Sequence, residues 1–180
     1  RWFAHEFLRE AGYEVVLLER AADVRDYVSR HGPVSVVLVD LQLPDQDGRE
    51  QRLSALQHGQ PLILYFYPAD FTPGCTREAC DFRDLHAQIL GAGLQVVGIS
   101  PQDSASHRRF RDRHALPFTL LSDVDKAVIR TYDVDGPLGI GVRRATYLLD
   151  GDRRILDAVQ ADLRIGRHQE FVQRALTTRA

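Results

Sequence analysis

The chain has 180 residues, of which 44% are hydrophobic and 27% are charged, a balance typical of a globular protein with a full hydrophobic core. Its net charge of −2 gives no reason to expect nucleic acid or an anionic membrane as a partner. No apolar run approaches the length of a membrane span, and the amino end is too rich in charges for a signal-peptide core, so we expect a cytoplasmic protein.

The first forty residues predict a β-α-β segment after a short opening helix. The pattern indicates a strand at 13–18, a helix at 21–30 and a strand at 34–41. This order resembles part of a response-regulator receiver domain, in which an aspartate at a strand end accepts a phosphoryl group, and Asp40 is the matching residue. No preceding strand supplies an acidic pair for a metal ion, however, so the motif lacks its structural context.

We therefore interpret residues 1–33 as an amino-terminal extension and residues 34–180 as the main domain. Without a function of its own, the extension would be a helix and strand packed on the domain, or the remnant of a domain further upstream. A signalling role would instead require a partner surface in this segment.

From Asp45 onwards, strands and helices alternate before a final hairpin, and this order favours a mixed sheet with helices on both faces. The predicted elements are a turn at Asp45–Gly48 between two short strands, a helical turn capped by Ser54, strands at 62–67, 95–100 and 118–121, helices from Thr76 to Gly91, at 104–114 with Ser104 as N-cap, and at 124–132, a hairpin of 143–149 with 155–159, and a closing helix at 166–176.

The two cysteines, Cys75 and Cys80, lie in one segment of the chain. Two cysteines are too few for a disulfide framework or a four-ligand metal site. In a reducing compartment, a pair of cysteines is more typical of catalysis than of structure.

Cys75 is predicted to lie where a buried strand, a loop and a helix meet. The apolar run 62–67 is a strand, Pro68 ends it, and the pair Pro73-Gly74 forms a turn before the helical pattern that starts at Thr76. The first N–H groups of a helix have no intrahelical partner and carry the positive end of the helix dipole, which stabilises a thiolate placed there.

The pattern P-x-x-x-T-x-x-C formed by Pro68, Thr72 and Cys75 resembles the active-site signature of peroxiredoxins. Its extension F-x-P-G-C-T-x-x-A-C resembles the peroxiredoxin Q (bacterioferritin comigratory protein) branch, and the resemblance runs from about Leu41 to the carboxyl end. It continues through LPDQDG at 43–48, GISP at 98–101, LPFTLLSD at 116–123 and RATY at 144–147. The resemblance implies an α/β thioredoxin-like fold with peroxiredoxin elaborations, a mixed central sheet flanked by helices on both faces.

The resemblance also implies a thioredoxin-dependent peroxidase that reduces hydrogen peroxide and organic hydroperoxides. Cys75 is then the peroxidatic thiolate and becomes a sulfenic acid. Thr72 and the backbone N–H of Cys75 bind the peroxide, Arg144 holds the thiolate and the peroxide oxygens, and Pro68 shields the thiolate from water. Arg143 is expected to point to the opposite face of the sheet. The resemblance implies no cofactor or metal, and a monomer or sometimes a dimer.

Cys80 is the implied resolving cysteine, which forms an intramolecular disulfide with Cys75 that thioredoxin or a similar thiol reductant then reduces. Five residues advance about 7.5 Å along an α-helix and leave the two side chains facing different ways. Cysteines with Cα atoms more than about 7 Å apart cannot be joined without backbone movement. We therefore expect the helix to unwind locally in each cycle.

Two other functions use the same cysteines and remain open from the sequence. A thiol–disulfide oxidoreductase is expected to carry Cys-x-x-Cys, whereas four residues separate Cys75 from Cys80. A non-enzymatic redox sensor or signalling module would use Cys75 without turnover and would need a partner surface. Peroxide consumption against disulfide reduction separates the peroxidase from the oxidoreductase. Peroxide turnover by a chain that lacks residues 1–33 separates it from the sensor, since a catalyst should keep its activity.

Overall fold

The computed structural model describes residues 42–177. The predictions for the first forty residues, including the boundary between 33 and 34 and a role for Asp40, lie outside the described residues. The elements in chain order are β1 (Gln42–Pro44), β2 (Glu50–Arg52), α1 (Leu53–Gln57), β3 (Leu62–Phe66), α2 (Pro73–Gly91), β4 (Gln95–Ser100), α3 (Ser104–His114), β5 (Thr119–Ser122), α4 (Ala127–Thr131), β6 (Ala145–Leu149), β7 (Ile155–Gln160) and α5 (Gly166–Thr177), with a 3₁₀ turn at Pro137–Gly139.

The main sheet has five strands in the order β5-β4-β3-β6-β7. β3 pairs in parallel with β4, and β4 pairs in parallel with β5, so α2 and α3 serve as the crossover connections. β6 runs antiparallel to β3, and β7 runs antiparallel to β6. The predicted mixed sheet is confirmed, and β3 is its central strand with every residue buried.

Alternate residues of β3 pack into separate apolar layers on the two faces of the sheet. Ile63 and Tyr65 belong to a layer with residues of α2, α3 and α5, which include Phe82, Phe110 and Phe171. Leu62, Leu64 and Phe66 belong to a second layer with residues of α1 and α4, which include Leu53 and Val128. Each large side chain buried in this way stabilises the fold by about 1.5–3 kcal/mol. The prediction of helices on both faces is confirmed, and no helix within 42–177 is long and apolar enough to cross a membrane.

The start of α2 differs from the prediction, because Pro73 and Gly74 are its first residues rather than a turn before it. Thr72 has extended backbone angles and serves as the N-cap, and its hydroxyl accepts a hydrogen bond from the backbone N–H of Cys75. Proline is favoured at the first helical position because its ring fixes a suitable φ and the missing N–H would have had no partner. Cys75 therefore lies in the first turn of the helix, as expected. The helix begins at Pro73, three residues before the predicted start at Thr76.

Three other local predictions are wrong in detail. Asp103, not Ser104, caps α3, since its carboxylate accepts the Ser106 N–H at 2.7 Å. Ser54 lies inside α1 rather than at its N-cap. The helix predicted at 124–132 is shorter, because Asp123 accepts the N–H groups of Val128 and Ile129 and the chain before Ala127 forms a turn.

Candidate active site

Cys75 is buried at the amino end of α2, and its side chain is 1% exposed. Its backbone N–H lies 3.4 Å from the Thr72 hydroxyl oxygen, and this hydroxyl donates to the carbonyl of Ala69 at 3.2 Å. Both groups that were expected to bind a peroxide are therefore bonded to each other in this structure. A substrate oxygen that enters the site must displace or share this weak hydrogen bond.

The Arg144 side chain lies against the Cys75 sulfur, with 3.2 Å between Nη2 and Sγ. Arg144 directly precedes β6 instead of lying within it as predicted, and its N–H donates to the Asp162 carboxylate at 2.7 Å. The register pairs Phe66 with Ala145, which places Arg144 at the carboxyl end of the central strand, where the loop to Cys75 begins. Arg143 is exposed, in agreement with the alternation of side chains.

Gly74 permits the close approach of the arginine. A Cβ atom at this position would lie 3.3 Å from Arg144 Nη2 and 2.8 Å from Ile165 Cδ1. A side chain at Gly74 would therefore press against the guanidinium of Arg144 and against Ile165, which directly precedes α5. The Pro-Gly sequence before Cys75 has two separate uses, since proline starts the helix and glycine makes room for the cation.

Glu78 is a site residue that the sequence analysis missed. It lies one turn after Cys75 on α2, is 1% exposed, and accepts a hydrogen bond at Oε2 from Arg144 Nη1. Burial raises the pKa of Glu78 to about 7, although Arg144 favours the charged form. The arginine thus bridges a sulfur and a carboxyl group with the two arms of its guanidinium, a geometry that a lysine cannot reproduce.

The signal for Glu78 was present in the helical spacing. It lies three residues after Cys75 and next to the core residue Ala79, so it falls on the buried face of the helix. An acidic residue on an apolar face requires a partner, but the sequence does not indicate which basic residue supplies it.

Pro68 and Asp70 belong to the loop between β3 and α2. Pro68 is half-buried after the strand. The buried Asp70 carboxylate accepts hydrogen bonds from the Tyr67 hydroxyl at 2.9 Å and the Ser106 hydroxyl at 2.7 Å, and lies 3.0 Å from His107 Nδ1. His107 Nδ1 also lies 3.3 Å from the Tyr67 hydroxyl, and its Nε2 lies 3.3 Å from the carbonyl oxygen of Leu121, so this histidine joins the loop to α3 and β5.

The buried contact between Asp70 and His107 holds the β3–α2 loop against α3. We therefore expect Asp70→Asn to lower the free energy of unfolding by about 3–5 kcal/mol at neutral pH. Burial disfavours the carboxylate, but hydrogen bonds from His107, Ser106 and Tyr67 outweigh it, and the pKa of Asp70 lies below its usual value. Such a group stabilises the fold above its unfolded pKa and loses that contribution as the pH falls through the folded pKa.

Urea unfolding at neutral and acidic pH checks this prediction, because the difference between wild type and Asp70→Asn should shrink in acid. Asp112→Asn is the matched control, since Asp112 is 60% exposed in its pair with Arg111 and should cost at most about 1 kcal/mol. Equal losses in the two variants would contradict a special role for Asp70.

Cys80 lies in the same continuous helix as Cys75 and is half-buried, and both cysteines are free thiols. Their side chains leave the helix in different directions, because five residues correspond to about 500° of rotation. The structure is thus a reduced state in which a disulfide would require α2 to unwind, and that step stays a prediction.

An open depression of about 470 Å³ lies in front of the helix start and is lined by Phe71, Pro73, Thr76, Arg113 and His114. Phe71 has a positive φ of 61° and is 43% exposed, and its ring contacts Phe110 edge-on. A positive φ is costly for a bulky side chain. Here it leaves an apolar ring partly exposed at the edge of this depression.

A thiol at a helix start beside a buried arginine, on a thioredoxin-like fold, defines the peroxiredoxin class of thiol proteins. The family model described as AhpC/TSA matches residues 34–158, and the chain belongs to this family.

The relatives confirm the resemblance to the peroxiredoxin Q branch. The chain is 50% identical over 109 residues to chloroplastic peroxiredoxin Q of Oryza sativa subsp. japonica, a match that covers 60% of this chain and 50% of the relative. The chain thus spans about half the length of the first curated relatives it matches.

Two solved structures of bacterial relatives agree with the fold described here. Peroxidoxin BcpB from Mycobacterium tuberculosis has 36% identity and a TM-score of 0.74, covering 79% of this chain and 95% of that one. The bacterioferritin comigratory protein of Xanthomonas campestris, described for its alkyl peroxide reduction activity, has 33% identity and a TM-score of 0.69, covering 77% and 90%.

Proposed function

We propose that this chain is a thiol-dependent peroxidase that reduces hydrogen peroxide and organic hydroperoxides with Cys75 as nucleophile. The 3.2 Å contact between Arg144 Nη2 and Cys75 Sγ carries the proposal. Only the thiolate is a competent nucleophile, and a guanidinium that cannot lose its proton stabilises it in a buried site. The positive end of the α2 dipole adds to this stabilisation.

In the first step the Cys75 thiolate attacks the outer oxygen of the hydroperoxide. A sulfur–oxygen bond forms, the oxygen–oxygen bond breaks, and the leaving oxygen takes up a proton to become water or an alcohol. Arg144 donates to the charge as it moves from sulfur to oxygen. The Thr72 hydroxyl turns from the Ala69 carbonyl to the substrate, and Pro68 limits the access of water.

In the second step Cys80 resolves the sulfenic acid. Its thiol attacks the Cys75 sulfur, water leaves, and a disulfide forms after the first turns of α2 unwind. Thioredoxin or a similar dithiol then reduces the disulfide by exchange and returns both cysteines to the thiol state. Cys80 is a half-buried free thiol on the same helix, five residues after Cys75.

Two further observations support organic hydroperoxides among the substrates. The open depression at the start of α2 presents the exposed ring of Phe71, which can contact an apolar group. The Xanthomonas campestris relative is described as reducing alkyl peroxides.

Steady-state assays with thioredoxin, thioredoxin reductase and NADPH test the proposal. We expect NADPH oxidation that depends on hydrogen peroxide or on cumene hydroperoxide, and no acceleration of insulin disulfide reduction. Insulin reduction without peroxide consumption would identify an oxidoreductase instead. A single oxidation without turnover under any reductant would identify a sensor.

A further inference from the structure

Glu78 has a second carboxyl oxygen that Arg144 does not hold. Oε1 is buried without a hydrogen-bond partner among residues 42–177, and it lies 3.5 Å from Nδ1 of His168 on α5. The His168 side chain is fully buried, so water does not solvate this pair of groups. An unpartnered carboxylate oxygen is costly in such a place. The stability of the site therefore depends on whether Glu78 or His168 carries a proton.

The other contacts of His168 leave Nδ1 able to gain or lose a proton. Nε2 lies 3.0 Å from the carbonyl oxygen of Ala161, which only accepts, so Nε2 carries a hydrogen. Nδ1 lies 2.8 Å from the Thr146 hydroxyl, which can donate or accept. The imidazole can therefore be neutral, with Thr146 as donor, or charged, with Nδ1 directed at Thr146 and Glu78.

The charges in the site balance only if one proton stays near Glu78. Arg144 supplies one positive charge, and its two arms reach two acidic groups, Cys75 and Glu78. If both were ionised, the buried site would carry a net negative charge, which costs several kcal/mol in a medium of low dielectric constant. When Cys75 is a thiolate, a proton on Glu78 or on His168 restores neutrality.

The remaining polar groups around the site do not supply the missing charge. Tyr65 on β3 is neutral, because burial raises its pKa well above the usual value. Asp81 on α2 and Asp162 before α5 are acids, and Asp81 pairs with the exposed Arg77. Arg167 on α5 is exposed to solvent, where its charge is screened.

We propose that Glu78 and His168 act as a positioning pair that holds the proton given up by Cys75 when the thiolate forms. The step breaks the sulfur–hydrogen bond and forms an O–H bond on Glu78 or an N–H bond at His168 Nδ1, and the net charge of the site does not change. This inference rests on the proposed function, since it assumes that Cys75 is a reactive thiolate. Burial raises the pKa of Glu78 and lowers that of His168, which favours Glu78 as the carrier.

Holding the proton in this way favours the thiolate. A protonated Glu78 leaves the full charge of Arg144 to the thiolate, because no second anion competes for it. Glu78 bonds to Arg144 and faces His168, so the pair acts on Cys75 through the charge of Arg144.

Infrared and nuclear magnetic resonance spectra of the 180-residue chain with Cys80→Ser test this pair. Thiolate absorbance in the ultraviolet reports Cys75. The carboxylic-acid C=O stretch reports protonated Glu78, and the ¹⁵N shifts of His168 report its charge. Slightly above neutral pH we expect Cys75 as the thiolate and one proton on Glu78 or on His168. The acid band should disappear in Glu78→Gln, which assigns it.

A second comparison tests the coupling to Cys75. In Cys75→Ala with Cys80→Ser, Arg144 has only Glu78 to compensate, so the pair should lose its proton at the same pH. A thiolate accompanied by an ionised Glu78 and a neutral His168 would overturn the inference but leave the peroxidase intact. Absence of the thiolate at neutral pH would overturn the proposed function, and the stored proton with it. The spectra of Cys80→Ser do not depend on whether Glu78→Gln folds.

Discussion

Cys75→Ser is expected to abolish peroxide reduction, with a loss of more than about 10³-fold in the rate. A serine hydroxyl does not ionise near neutral pH, so neither Arg144 nor the helix start can turn it into a comparable nucleophile. The replacement exchanges one side-chain atom for a smaller one, so it adds no bulk at a position that is 1% exposed. Unfolding in urea should confirm that the variant remains folded.

Cys80→Ser should behave differently from Cys75→Ser. Its Cys75 can still react with one equivalent of peroxide, but no second thiol in the chain resolves the sulfenic acid. We expect one peroxide consumed per chain, followed by a stall with thioredoxin as reductant. Rapid-quench peroxide measurements and trapping of the sulfenic acid with dimedone check both results.

The outcome that would contradict this assignment is steady turnover by Cys75→Ser, because it would move the nucleophile elsewhere. Full turnover by Cys80→Ser with thioredoxin would leave Cys75 as nucleophile but remove the intramolecular disulfide from the cycle. The local unwinding of α2 would then have no purpose in catalysis.

The parts of the fold that the sequence predicted well are those governed by local hydrophobic patterns. The bounds of β4 and α3 were predicted as the structure has them, since each follows one uninterrupted period. Helix starts were predicted less well, because a cap depends on which side chain reaches a free N–H. Asp103 and Ser104 are both good caps by type, and only the backbone geometry selects Asp103.

The candidate site shows the same division between local and distant information. The sequence resemblance identified Thr72, Cys75 and Arg144, and the fold brings them together. It did not indicate that Glu78 shares the arginine, because the two residues are 66 positions apart and a glutamate in a helix usually faces solvent. His168 was missed for the same reason, since its partners lie on α2 and β6.

Arg144→Lys is expected to slow the oxidation of Cys75 by about 10²–10³-fold, although it keeps the positive charge. The guanidinium donates to Cys75 Sγ with one arm and to Glu78 with the other, and both arms are fixed in one plane. An ammonium group is a point charge that cannot maintain both contacts in this geometry. Stopped-flow measurement of single-turnover oxidation gives the rate. Arg143→Lys is the matched control, because the adjacent Arg143 is exposed and should react at the wild-type rate.

Arg144→Leu separates the stability of the site from its chemistry. Removing the cation leaves Glu78 buried without its partner, which should cost about 3–5 kcal/mol of unfolding free energy at a pH where Glu78 is ionised, and less where it is protonated. Adding Glu78→Gln should recover most of that stability, because the amide carries no charge, but the peroxide rate should stay low since no cation faces Cys75. Urea unfolding and single-turnover oxidation of the four proteins in this double-mutant cycle measure the two effects. A rate that recovered together with stability would show that Arg144 only maintains the fold, and the thiolate would then depend on the helix start alone.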